Sequence, residues 1–206
     1  MRDSATYDRK PSPLLIVISG PSGVGKDVTI QGLQAVGHPF HFVVTATSRP
    51  KRKGEVHGKD YIFVSEEEFA RMIEAGELLE HAMVYGQYKG IPKAQVRQAL
   101  DSGLDVIMRV DVQGAATVRK LVPEAIFVFL MPESDDELAA RLSARSSESA
   151  EHLQKRLETA RLEMRELDWF DYVIVNQHNQ LKSTVEQLLA IITAEKCRVH
   201  QRVIRL

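Results

Sequence analysis

The chain of 206 residues has one cysteine, Cys197, and one tryptophan, Trp169. A single thiol closes no internal disulfide and leaves no partner for a zinc-ribbon or CxxC arrangement, so a disulfide-built secreted scaffold is excluded and a reducing compartment fits. Long apolar runs are missing too. The longest, Ala125 to Met131, falls far short of the roughly 20 residues that span a bilayer. The first thirteen residues hold Arg2, Asp3, Asp8, Arg9 and Lys10 without an apolar stretch that could serve a secretory signal. They are expected to form a disordered lead, 1–13, before a single domain, 14–206. A cytoplasmic protein is expected, or a plastid or mitochondrial one if a transit peptide has been removed. Excess charge of either sign is also absent: Lys plus Arg number 27 against 28 for Asp plus Glu, a net charge of −1. Nucleic acid and membrane surfaces are therefore not expected partners, and any anion site must be local.

What is present is an ordinary globular composition, with 44% hydrophobic and 27% charged residues. At about 150 residues per domain this length suits one compact unit with inserted lobes. Five short β-branched or aromatic runs read as buried strands: Leu14 to Ser19, His41 to Ala46, Leu104 to Val110, Ala125 to Leu130 and Tyr172 to Val175. Helical patterns at Val28 to Val36, Ala115 to Leu121, Asp135 to Ala144, Glu151 to Leu167 and Leu181 to Ala194 fall between or after them. Strands alternating with helices imply βαβ units and a mostly parallel sheet covered on both faces, an α/β fold. The stretch between the second and third strands exceeds one crossover and predicts an inserted lobe. Within it, Tyr61 to Val64 reads as a strand. Ser65 with Glu68 opens a helix that Gly76 ends, Leu78 to Tyr85 is extended, and Pro92 begins a helix that stops near Gly103. A polar, serine-rich stretch, Arg141 to Arg156, predicts a flap between two helices.

The strongest local signal is Gly20-Pro21-Ser22-Gly23-Val24-Gly25-Lys26-Asp27, between a strand and a helix. It matches GxxxxGK, with Asp27 where Ser or Thr is usual. Glycines let the backbone curl so that N–H groups point inward, the helix N-terminus adds partial positive charge, and Lys26 reaches terminal phosphates. A nucleoside triphosphate is the expected ligand. Asp27 either holds Mg²⁺, directly or through water, or simply complements the positive helix end. A second anion site is marked by Arg49, Lys51, Arg52, Lys53 and Lys59 against Glu55 alone, just past a sheet strand, where open α/β sheets place ligands.

These runs, ISGPSGVGK, TATSRPKR, GEVHGKDYIFV, DVQG and VIVN, resemble guanylate kinases over roughly residues 14 to 196. The wording GKDV, HFVVTATSRP, YKGIPK and MRVDVQGA is closest to a variant subgroup of some bacteria and plant organelles. The resemblance implies a P-loop NTPase-type three-layer fold with a five-stranded parallel sheet. It further implies core segments 14–45, 96–139 and 158–206, a GMP-binding lobe at 46–95, a lid at 140–157, and phosphoryl transfer from ATP to GMP, with dGMP as a further expected acceptor, and with Mg²⁺. By the same resemblance Arg49, Arg52 and Tyr61 hold the GMP phosphate, with Lys89 standing where a second tyrosine is usual. Glu80 reads guanine, its two acceptors matched to the N1–H and N2–H₂ donors, and Thr45 touches the base. Asp111 lies near Mg²⁺ and the ribose. Lys26, Arg141, Arg145 and Arg156 carry catalysis, and Asn176 falls on the adenine side.

Two further departures stand out: Ile91 replaces a hydroxyl residue near the base, and Arg109 occupies a place often acidic. Arg109 pairs with Asp27, pairs with Asp111, approaches a phosphate, or is purely structural. The rival readings are a sugar-phosphate kinase, such as one for ribose 1,5-bisphosphate, and a catalytically silent interaction module. Glu80, Tyr61 and TSRPKR speak against the first, and the intact Lys26 against the second. Monomer and homodimer are both compatible with the sequence.

Overall fold

The computed structural model describes residues 10–84, 86–144 and 150–206. In chain order the elements are β1 (Leu15–Ser19), α1 (Lys26–Val36), β2 (Phe40–Phe42), β3 (Ala46–Thr47), β4 (Ile62–Phe63), α2 (Glu66–Glu74), β5 (Leu78–Val84) and β6 (Gln87–Pro92). They continue with α3 (Lys93–Asp101), β7 (Asp105–Arg109), α4 (Val112–Leu121), β8 (Ile126–Pro132), α5 (Asp135–Ala144), α6 (Ala150–Met164), β9 (Tyr172–Asn176) and α7 (Leu181–Lys196). A 3₁₀ turn, Arg165–Trp169, replaces the last turn of the helix expected to reach Leu167.

Five strands in the order β2-β7-β1-β8-β9 form one sheet, parallel throughout. Its strands are continuous apolar runs because both faces are covered. Successive residues of β1 go to opposite layers: Leu15 and Val17 join Met108, Val118 and Phe127 on one face, while Ile16 and Ile18 join Leu33, Leu188 and Ile192 on the other. Trp169 and Phe170 stack on each other and pack on the first layer. The smaller sheet, β4-β3-β6-β5, is mixed and rises from the carboxyl edge of the large one.

The run His41 to Ala46 does not form the single strand expected of it. Phe40–Phe42 pairs with β7 in the large sheet, and Ala46–Thr47 belongs to the small one. At the crossing, the Gln95 side chain takes the place of a neighbouring strand: Val44 N–H donates to its Oε1 at 2.9 Å, and its Nε2 donates to Val44 C=O at 2.6 Å. The backbone groups of Val44 are thus satisfied outside both sheets.

The lead is also more engaged than expected. Residues 1–9 lie outside the described residues, but Ser12 donates to Gln201 Oε1 through both its N–H and its hydroxyl, and its carbonyl accepts from Lys196 Nζ. Gln201 sits on a C-terminal tail anchored by a buried carboxylate. Glu195, 1% exposed, accepts from Arg202 Nε at 2.9 Å, from Arg202 Nη2 at 3.2 Å and from the Tyr172 hydroxyl at 2.6 Å. Burial alone raises the Glu195 carboxyl, but the bonds from Arg202 and Tyr172 outweigh it and hold the group below its ordinary value. Among the described residues, Arg202→Ala leaves this charge with only the half-exposed Arg198 as ionic partner. A loss of about 3 kcal/mol is expected, seen as a melting midpoint lower by about 6–12 °C. A carboxyl depressed in the folded state stabilises above its unfolded value and loses that contribution as pH falls. The gap between wild type and variant therefore narrows below about pH 4, and unfolding curves across pH 3–8 check both magnitude and sign.

Candidate active site

The GxxxxGK run leaves β1 as a tight loop and enters α1 at Lys26. Gly25 caps the helix at φ 104°, and a Cβ there would stand 2.5 Å from Asn176 Nδ2, so glycine is required both for conformation and for the approach of β9. Asn176 is buried and bonded at both ends of its amide: Nδ2 donates to Val24 C=O at 2.7 Å and Oδ1 accepts from the Thr184 hydroxyl at 2.8 Å. It pins the loop from the end of β9. Lys26 Nζ lies back over the loop, 2.5 Å from Gly20 C=O and 3.1 Å from Pro21 C=O.

Two cavities flank this loop. One, of about 320 Å³, is lined by Lys26, Asp27, Thr45, Tyr61, Glu80, Ala82, Lys89, Arg109, Val110 and Asp111. The other, of about 400 Å³, is lined by Gly23, Gly25, Val28, Arg141 and the turn Asn176 to Asn179 with Leu181. Asn179 holds a left-handed φ of 56°, the one non-glycine residue to do so among those described. The sequence did not single out His178, which borders this second cavity with Nδ1 3.3 Å from Glu137 Oε1.

The first cavity gathers most of the residues marked from sequence. Glu80 enters it because β5 is irregular between Leu78 and Glu80, a bulge that sends Leu79 into the core and turns the next side chain to the cavity. Asp111 caps α4, one oxygen accepting from Gly114 N–H at 2.7 Å. A Cβ at Gly114 would lie 3.1 Å from Glu80 Oε2 and 3.2 Å from Asp111 Oδ1, so both carboxylates crowd the first turn of α4. Burial, with the neighbouring Asp111 charge as the lesser cause, pushes the Glu80 carboxyl up to about 7.

Other expectations are placed differently. Arg49 is buried and does not line the cavity. It stacks over the Tyr61 ring at 4.8 Å and grips Glu55 through two bonds of 2.8 and 2.5 Å. Arg52 is exposed, and its N–H donates to the same Glu55 carboxylate at 2.8 Å. Those bonds, that of Arg49 first, hold the Glu55 carboxyl down at about 2. Glu55 thus occupies donors that the sequence assigned to a phosphate, and its GE position beside the basic run was the available signal. Ile91 is buried among Leu79, Val96 and Met108 and faces no ligand space.

Arg141 anchors α5 to the loop, donating to Val24 C=O at 2.9 Å, Asn176 C=O at 3.0 Å and Glu137 Oε1 at 2.5 Å. Arg156 reaches the rim from α6, 3.0 Å from the Ser22 hydroxyl. Arg145 lies outside the described residues. Glu163, also on α6 and unmarked by any motif, accepts from Ser22 N–H near Lys26, and burial raises its carboxyl.

Of the alternatives open for Arg109, the structure shows one: its guanidinium forms an ion pair with Asp27. This changes the metal expectation. Asp27 gives its carboxylate to an arginine, Asp111 has only one oxygen left beyond its cap, and no group of three metal-ligating side chains occurs among the described residues. A Mg²⁺ cage made by the protein does not fit, whereas an ion taking most of its oxygens from a triphosphate does. No helix among the described residues is long and apolar enough to cross a membrane.

Comparison with known proteins agrees with this geometry. The family model described as Guanylate kinase matches residues 12–195. "Guanylate kinase 2, chloroplastic/mitochondrial" of Oryza sativa subsp. japonica is 54% identical over 95% of this chain and 69% of its own length. Guanylate kinase of Nocardia farcinica is 48% identical over 89% and 95% respectively. The crystal structure of guanylate kinase from Anaplasma phagocytophilum superposes with a TM-score of 0.71 at 31% identity, covering 95% of this chain and 92% of that one. With a phosphate loop between two cavities, a carboxylate facing the first, and likeness along nearly its whole length, the chain belongs to the guanylate kinase family.

Proposed function

We propose that the chain transfers the γ-phosphoryl group of ATP to GMP, with the purine of GMP read by Glu80 in the first cavity and adenine seated in the second. The placement of Glu80 carries this: a half-buried carboxylate in a cavity that also holds Lys26 suits two N–H donors on one edge of a base, and adenine offers no such pair. Thr45 completes the base pocket. Tyr61 and Lys89 receive the acceptor phosphate, with the exposed Arg52 side chain reaching it from the loop and Arg49 joining once Glu55 releases its guanidinium. Lys26 and the N–H groups of the loop glycines hold the donor phosphates.

The acceptor oxygen is already anionic near neutral pH, so positioning and charge stabilisation supply the catalysis without a strong base. Mg²⁺ entering with ATP would supply neutralisation of the donor phosphates' charge, and Asp111 would meet it directly or through water. Arg156 covers the phosphates from α6. Arg141 joins it by exchanging a carbonyl for a phosphate oxygen, and Arg145 is assigned to the same task. We take the reaction to be cytoplasmic, with an organelle as the alternative raised by the name of the rice relative.

A coupled assay with ATP and each of GMP, dGMP, AMP, UMP and ribose 1,5-bisphosphate tests this. Turnover on GMP and dGMP is expected; turnover on the sugar alone, or on nothing, overturns it. The pH profile adds a second check. Below about pH 7 the Glu80 carboxyl is protonated in the free enzyme and turns a donor toward guanine's donors, so kcat/KM for GMP falls as pH is lowered. The GMP phosphate also titrates, near 6, but that inflection persists in Glu80→Gln, and only the one due to Glu80 disappears.

A further inference from the structure

The Asp27–Arg109 pair sits where the loop meets the acceptor cavity, and both residues line it. Charges around that cavity are finely balanced: Lys26, Lys89 and Arg109 against Asp27, Glu80 and Asp111. Without Arg109 two cations would face three carboxylates, an unfavourable place to bring two phosphate groups together. A guanidinium has five N–H donors, and a carboxylate takes at most two of them. Asp27 is the ionic partner that Arg109 has among the described residues, and Arg109 remains 38% exposed on the cavity side.

The geometry points to Arg109 as a catalytic residue that is held by Asp27 and presents its remaining donors to the phosphoryl group in flight between the two nucleotides; Asp27 is its positioning residue. This rests on the phosphoryl-transfer reading above and deepens it. The residue after the loop lysine then serves as an anchor for an arginine supplied from β7, and its acidity is explained by that pairing. Because Arg109 acts on the moving group, its loss falls on kcat more than on GMP binding.

The test uses Arg109→Met, Asp27→Asn, the double variant and Arg109→Lys in the full chain. Steady-state kinetics give kcat, KM and the Mg²⁺ concentration for half-maximal rate, and calorimetry in EDTA gives GMP affinity. Arg109→Met is expected to lower kcat about 100-fold, with GMP affinity in EDTA within about threefold of wild type. Asp27→Asn is expected to lower kcat about tenfold, the double variant to match Arg109→Met, and Arg109→Lys to recover part of the loss. An exposed ion pair adds little to stability, so all variants should melt within a few degrees of wild type. Three results overturn the assignment: kcat within about threefold of wild type in Arg109→Met, losses that multiply in the double variant, or a raised Mg²⁺ requirement in Asp27→Asn that Arg109→Met does not share. An inactive wild type in the same assay instead sinks the phosphoryl-transfer reading itself.

Discussion

Lys26→Met is expected to lower kcat by about 10³ or more while leaving the fold intact. The lysine is held against Gly20 and Pro21 carbonyls at the mouth of the loop and faces the cavity where both phosphate groups must meet. Methionine keeps most of the stem and removes the charge, so packing is little changed and the loss falls on phosphate stabilisation. The loop itself is held by other groups, Asn176 on Val24 C=O and the Thr29 hydroxyl on Gly25 C=O. The melting midpoint should therefore move by only a few degrees. Turnover within tenfold of wild type would remove Lys26 from the chemistry, and a collapse of the fold would make it a structural residue.

The second large effect is expected at Glu80. Glutamine keeps the shape but replaces one acceptor by an NH₂ group that opposes a guanine donor, and a site built around hydrogen bonds rejects such a mismatch by about 10³ to 10⁴ in kcat/KM. Discrimination between GMP and inosine monophosphate, which lacks the N2 amino group, should shrink in the same variant. Stability should move the other way. A carboxyl raised in the folded state stabilises below its unfolded value and costs stability as pH rises through about 7. Glu80→Gln removes that cost, so without nucleotide it should melt higher than wild type at pH 8 and not at pH 5. Lost activity with gained stability is the mark of a group strained for function. A variant that loses both would show Glu80 to be a structural carboxylate.

Much of this was legible in the chain. Buried parallel strands announce themselves as short apolar runs, and the loop is fixed by glycine spacing and its strand and helix flanks, so β1, β7, β8 and β9 and the position of Lys26 follow directly. What stayed hidden depends on contacts between distant residues. The break in His41 to Ala46 is made by the Gln95 amide, and nothing in an apolar run reveals that a glutamine fifty residues on will pair with its backbone. The grip of Glu55 on Arg49 and the Asp27–Arg109 pair are likewise choices among several charge partners, decided only when the lobe and β7 are in place. Asn176 was placed at the correct end of β9, but its side chain holds the loop.

The most direct measurement uses a bisubstrate nucleotide joining adenosine to guanosine through five phosphates. If one loop lies between a donor cavity and an acceptor cavity, this compound spans both and inhibits competitively against ATP and against GMP alike. Competition with only one of the two, leaving saturation by the other untouched, would show that the cavities do not form a single two-nucleotide site.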